Sequence, residues 1–268
     1  KDLKTPLSFQ PAADEAIMDT RKAPLLFPDS TFESWPEVHD YSLAASVGSV
    51  NKAANDFGLP GTPQWIKRDP RLAWRGSHHG NARQELINHT SPLLNVEAIS
   101  YNMTITGMKL TSSNQISRYD HCGYRFLLHM NGIFNDRYSS SVKWKLLCGS
   151  LVFVPTKPLF VEWWNYKTWE PFQHYVPYTS ADDLLQQVKY YSNHLDEAAE
   201  IAKRGMKLAQ SAFDNLDDFV DEALVRYATV TNKLEQKPCT SLKFAIKAES
   251  VPKSLEDLQR DYGPTVCA

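Results

Sequence analysis

Two stretches of this chain combine residue types that can hold an anion. The first is "WRGSHHGNARQEL", residues 74 to 86, which follows the strand-like run "RLAW" and leads into a helical pattern. Gly76 and Ser77 permit a sharp turn, backbone N–H groups at the following helix start can face a phosphate, and Arg83 adds charge one or two turns later. A surface loop with solvated arginines fits the same spacing. The second is "NGIFNDRYSSSVKWKLLCGS", which connects "YRFLLHM" to "SLVFV". Here Ser139, Ser140 and Ser141 are placed to cap a short helix, and Lys143 or Arg137 can neutralise a phosphate. The plainer reading leaves the serines as caps and the lysines in water. Two such junctions in one domain allow a diphosphate to be gripped from both sides.

Other reactive residues are less organised. "DHCGY" sets Asp120, His121 and Cys122 in a row, without the spaced partners that a metal site or a nucleophilic cysteine needs. His78, His79 and His89 read as loop histidines. The segment "FVEWWNYKTWEPFQHYVPY" can stack on sugars or bases, and its Glu162 can bond a ribose or sugar hydroxyl; packing against a sheet explains the aromatics equally. No Asp-x-Asp pair occurs, so the simplest carboxylate-held Mg²⁺ diphosphate site is not expected.

These residues need a scaffold, and the pattern supplies one. "RLAW", "EAISYNMTI", "YRFLLHM", "SLVFV" and "HYVPY" are short runs rich in branched and aromatic residues, which predict strands. A helix is predicted after Ser180, with Ala181, Leu184, Leu185, Val188, Tyr191 and Leu195 on one face and Ser180 with Asp183 as a capping box. A second helix carries Ala198, Ile201, Ala202, Leu208, Ala209 and Ala212, and a third Leu216, Phe219, Ala223, Leu224, Tyr227 and Leu234. Strands alternating with helices predict an α/β domain with a largely parallel sheet, whose ligands bind beyond the carboxyl ends of the strands.

Bulk properties narrow the classes further. The 268 residues carry 29 basic and 31 acidic side chains, a near balance that gives no electrostatic case for nucleic acid or an acidic membrane surface. Four cysteines form no C-x-x-C pattern and permit two disulfides. Asn88 and Asn102 open N-x-T sequons, usable only in the secretory pathway. The longest apolar run falls short of the ~20 residues that a membrane span requires. Because the chain begins at Lys1 without Met or leader, it reads as a processed or truncated piece, with any anchor lying upstream.

In combination the motifs resemble one family. "WRGS" with Arg83 six residues beyond Ser77, then "DHCGYRFLLHMNG", "KWKLLCGSLVF", "EWW", "PFQHYVPYTSADDLLQQV" and "EAAEIAKRGMKLA" stand in the order seen in the CAP10-like, or protein O-glucosyltransferase (Rumi-like), glycosyltransferases of family 90. The resemblance covers roughly residues 70 to 215, with a fainter upstream match in "LLFPDSTFESWP". It implies a GT-B fold of two facing Rossmann-like lobes. Residues 70–238 would be the UDP-sugar-binding lobe, 1–69 the remnant of an N-terminal acceptor-side lobe, and 239–268 a tail. It also implies an inverting, metal-independent transfer of glucose or xylose from a UDP-sugar to a protein or polysaccharide hydroxyl, in the lumen of the endoplasmic reticulum or Golgi. No cofactor is expected.

Carried over by position, Ser77 and Arg83 match nucleotide-sugar contacts. The loop from Asn131 through Gly132, Arg137, Ser139 and Ser140 to Ser141 matches the diphosphate loop. Cys122 and Cys148 match a disulfide of Rumi-like members. Two departures stand out. Ser141 occupies the place of an arginine in the Rumi-like pattern, which passes the charge to Lys143 or Arg137. The family's general-base Asp would fall before Lys1, so the alternative is an inert sugar-nucleotide-binding or interaction protein.

Overall fold

The computed structural model describes residues 9–10, 12–14, 25–26, 43–78, 80–99, 101–104, 107–110, 114, 116–131, 139, 141–157, 159–162, 164–165, 168–215 and 218–221. The chain divides into two units, residues 1–223 and 224–268, and every described residue belongs to the first. Cys239 and Cys267, the other two cysteines, and most of the third expected helix lie outside the described residues; residues 218–221 within that helix are helical.

The centre is a five-stranded parallel sheet. In chain order its strands are β4 (Asp69–Gly76), β5 (Leu94–Ala98), β8 (Tyr124–Leu128), β9 (Leu151–Pro155) and β11 (Val176–Tyr178), arranged in space as β5-β4-β8-β9-β11. The first connection therefore runs one way and all later ones the other. That reversal puts a topological switch point between β4 and β8, where open α/β sheets form their ligand crevice. The parallel α/β expectation is met.

Both sheet faces are covered, which is why the strands read as unbroken apolar runs rather than alternating ones. On one face Ala73, Leu127, Val152 and Val154 pack with Val50 and Ala53 of α1 (Leu43–Asp56), with Val142 and Leu146 of a short helix at 141–147, and with Ala209 and Ala212. On the other, Leu72, Trp74, Phe126, Leu128, Phe153 and Val176 meet Trp65 of α2 (Pro63–Ile66), Leu86 of α3 (Asn81–Asn88), and Leu184 and Val188. Residues 43–66, set apart from the sheet domain in the sequence reading, thus contribute to its core.

Smaller elements flank the sheet. "EAISYNMTI" splits into β5 and β6 (Tyr101–Thr104), which pairs antiparallel with β7 (Gly107–Leu110) away from the main sheet. Upstream, β1 (Phe9–Gln10) pairs with β3 (Leu25–Leu26), and β2 (Ala12–Asp14) lies antiparallel to β10 (Phe160–Glu162). A single turn, α4 (Arg118–His121), precedes β8, and α5 (Ser141–Leu147) joins β8 to β9.

Two long helices close the domain, α6 (Ala181–Asn193) and α7 (Leu195–Asp214). Ser180 caps α6 by accepting from the Asp183 N–H at 3.1 Å, while the Asp183 carboxylate accepts from the Thr179 N–H and hydroxyl. The reciprocal cap thus forms one residue upstream of the expected box. α7 feeds small side chains into both clusters. At Gly205 a Cβ would stand 2.5 Å from the His174 carbonyl oxygen and 2.8 Å from Leu146. Only glycine allows that crossing, so Gly205→Ala should destabilise the domain by about 1–3 kcal/mol in urea unfolding. An unchanged midpoint would contradict this packing.

Candidate functional site

The site forms where β4 and β8 end. Ala73 is paired with Leu127, and continuing that register sets Ser77 opposite Asn131, each just beyond its strand. Arg83 of α3 reaches back across the gap. Its Nη1 donates to the Ser77 hydroxyl at 2.8 Å and to the Ser77 carbonyl at 3.2 Å, while its Nη2 donates to the Asn131 carbonyl. The guanidinium lies 5.4 Å from the centroid of the Trp74 ring. A Cβ on residue 76 would meet that indole at 2.4 Å, so Gly76 is the room the tryptophan needs. "WRGS" is thereby explained: Trp74 supports the arginine, Gly76 admits the indole and Ser77 is clamped. The fourth residue, Arg75, bonds instead to the Asn95 side chain and carbonyl and to Glu97.

Beyond β8 lies a second group, of which the sequence singled out Ser139 and Ser141 but not Lys145 or His129. Lys145 of α5 is buried, and its Nζ donates to the Leu128 carbonyl at 2.7 Å and to Ser141 Oγ at 3.1 Å. Ser141 Oγ also lies 3.3 Å from His129 Nδ1 and 3.1 Å from Ser139 Oγ. Burial, reinforced by the charge of Arg83, pushes Lys145 down to about 7. Burial first, then the cations Lys145, Arg83 and Lys143, pushes His129 well below the usual histidine range, so it is neutral at pH 7. Tyr178 of β11, its pKa raised by burial, donates to the His129 carbonyl at 3.4 Å. The one available signal was the i, i+4 spacing of Ser141 and Lys145, against the strong tendency of lysines to face water.

The remaining sequence candidates are placed as follows. Lys143 is 1% exposed and forms a 2.8 Å ion pair with Glu162 of β10, whose N–H donates to Asn165 Oδ1. Ser139 and Ser141 stand at the α5 entrance, and Gly132, Arg137 and Ser140 lie outside the described residues. Asn88 is exposed at the end of α3, and the Asn102 side chain is outside the description. Among the described residues no cluster of three or more His, Cys, Asp or Glu side chains is placed to hold a metal ion, and no helix is long and apolar enough to cross a membrane.

At the opposite, amino ends of the strands is a staple. Cys122, after α4, is disulfide-bonded to Cys148, after α5, with Cα atoms 4.9 Å apart. Closing a loop of this length contributes about 3.5 kcal/mol in the chain-entropy model. Beside it Arg68 is buried without a carboxylate bonded to it; it donates to the carbonyls of Phe57, Gly58 and Cys148 and to the Ser150 hydroxyl, which donates to the Tyr124 carbonyl. Burial lowers its pKa to about 9, and it is still charged at pH 7. Trp65 Nε1 donates to the Gly149 carbonyl at 2.8 Å. "CGS" therefore anchors the far end of α5, and "SSSVK" opens its near end at the crevice.

The sequence pattern described as Glycosyl transferase family 90 matches residues 17–263. The chain belongs to that family. It is 27% identical over 172 residues to an O-glucosyltransferase rumi homolog of Aedes aegypti, covering 59% of this chain and 39% of the relative. It is 28% identical over 174 residues to Protein O-glucosyltransferase 3 of Homo sapiens (63% of this chain, 33% of the relative). It is 26% identical over 237 residues to the Mus musculus protein of the same name (86% and 44%). The chain thus spans between a third and just under half of these relatives' length.

The Lys143–Glu162 pair ties α5 to β10, and breaking it is expected to be costly. Glu162→Leu, which leaves the Lys143 cation buried, should lose about 3–5 kcal/mol in urea unfolding, whereas Lys143→Met/Glu162→Leu together should recover most of that. Single losses that simply add in the double variant would contradict a coupled pair.

Proposed function

We propose that the crevice beyond β4 and β8 holds the diphosphate of a UDP-sugar, and that the chain serves transfer of glucose or xylose to a hydroxyl of a protein or polysaccharide acceptor. The observation that carries this is the Arg83 clamp, a buried guanidinium spanning two strand ends at the switch point. Membership of glycosyl transferase family 90, and relatives named O-glucosyltransferases, support the reaction class. The Cys122–Cys148 disulfide supports a secretory lumen, endoplasmic reticulum or Golgi, because such bonds persist in oxidising compartments.

In this reading the parallel-sheet domain is the donor lobe of a two-lobed GT-B enzyme. The transfer is inverting: a carboxylate takes the acceptor hydroxyl's proton as the oxygen attacks the anomeric carbon. The bond from that carbon to the diphosphate breaks, and the charge gathering on UDP is balanced by Arg83 and its neighbouring cations in place of a metal. The described residues supply this leaving-group side, and we assign no general base among them.

Calorimetric titration of UDP tests the donor site. The wild-type chain should bind, and Arg83→Met, checked for an unchanged melting temperature, should bind at least tenfold more weakly, the scale of one lost charged hydrogen bond. Equal affinity in the variant, or no binding by the wild type, contradicts the assignment. UDP release from UDP-glucose or UDP-xylose with an acceptor marks the transferase, while binding without release selects the inert alternative.

A further inference from the structure

Lys145 is the one lysine among the described residues that is fully enclosed with no carboxylate within ion-pair distance. Lys143, on the same helix, is held by Glu162. The two bonds recorded at Lys145 Nζ, to the Leu128 carbonyl and Ser141 Oγ, use both donors of a neutral amine. An ammonium carries a third N–H, which in a buried place requires another acceptor. The groups facing Lys145 do not offer a negative charge. Arg83 of α3 is cationic, and His129 beyond β8 and His121 of α4 are neutral, each pushed down mainly by burial. Tyr178 of β11 is held protonated, and Trp144 presents its ring 5.4 Å from Nζ. The acidic Glu162 of β10 is engaged with Lys143.

We propose that Lys145 is the α5 side chain that meets the diphosphate of the donor, and that it takes up one proton as the donor binds. This rests on the donor-site reading above. A diphosphate between Ser141 and Arg83 supplies both the missing acceptor and the countercharge, so above the empty-site value the ammonium forms only when the site is filled. The proton comes from solvent and no other bond changes. Release of UDP then returns the proton, which makes donor affinity depend on pH in the range where the empty site has lost its charge.

The sign follows from the empty-site value of about 7. Below it Lys145 is already charged and binding takes up little; above it each pH unit should weaken binding by about tenfold, until the filled site also titrates. UDP-glucose is the probe, because its diphosphate keeps a constant charge through this range. Titration calorimetry at pH 8 in two buffers of different ionisation enthalpy should show uptake of close to one proton, with affinity falling close to tenfold between pH 7.5 and 8.5. Lys145→Met should bind more weakly with no uptake and a flat profile, while the paired Lys143→Met/Glu162→Leu variant, which keeps no unpaired buried charge, should keep the slope. Binding of UDP-glucose by the wild type without uptake overturns this inference and leaves the donor site standing. Uptake unchanged in Lys145→Met overturns it as well, and absence of binding at every pH overturns both.

Discussion

The site depends on one contact, the reach of Arg83 across the ends of β4 and β8. A parallel sheet whose chain reverses direction leaves a crevice at the reversal, between the strand ends. Arg83 joins them through the Ser77 hydroxyl and carbonyl on one side and the Asn131 carbonyl on the other. Its charge is offset by carbonyl dipoles and the Trp74 ring. A planar guanidinium can bridge two chains and still present edge or face to an anion, which an ammonium cannot do.

Positive charge collected in a dry place is costly, and the fold meets that cost with partners for each lysine and an anchored helix. α5 brings both Lys143 and Lys145 inward, one satisfied by Glu162 and one by Leu128 and Ser141. Such a helix would drift outward were its end not fixed. The Cys122–Cys148 bond, the carbonyls gathered on Arg68 and the Trp65–Gly149 bond fix it. Ligand chemistry sits at the carboxyl ends of the strands and mechanical restraint at their amino ends.

Much of this was legible in the sequence. The parallel sheet was readable because strands covered on both faces are continuous apolar runs, and "YRFLLHM" and "SLVFV" could be little else. Ser180 announced α6 because an N-cap is a local event. Ser77 and Arg83 were both singled out within one strand-loop-helix junction, though as anion contacts and not as partners of each other. Asn131 was not, since it arrives from a strand 48 residues on, and only the register of β4 with β8 brings it there. Lys145 was hidden for another reason. A lysine in an amphipathic helix is ordinarily a solvent residue, and nothing local says that both faces of α5 are covered. Lys143 was singled out for the donor, yet it is ion-paired with the Glu162 carboxylate, a contact that depends on where β10 settles.

Hydrogen–deuterium exchange on the wild-type chain with and without UDP tests most directly whether the diphosphate sits in this crevice. Slowed exchange concentrated in the segments from Ser77 to Arg83 and from His129 to Asn131, with no change at the disulfide end around Cys122 and Cys148, is the predicted result. Protection confined to other segments, with those two unaffected at saturating UDP, would contradict it.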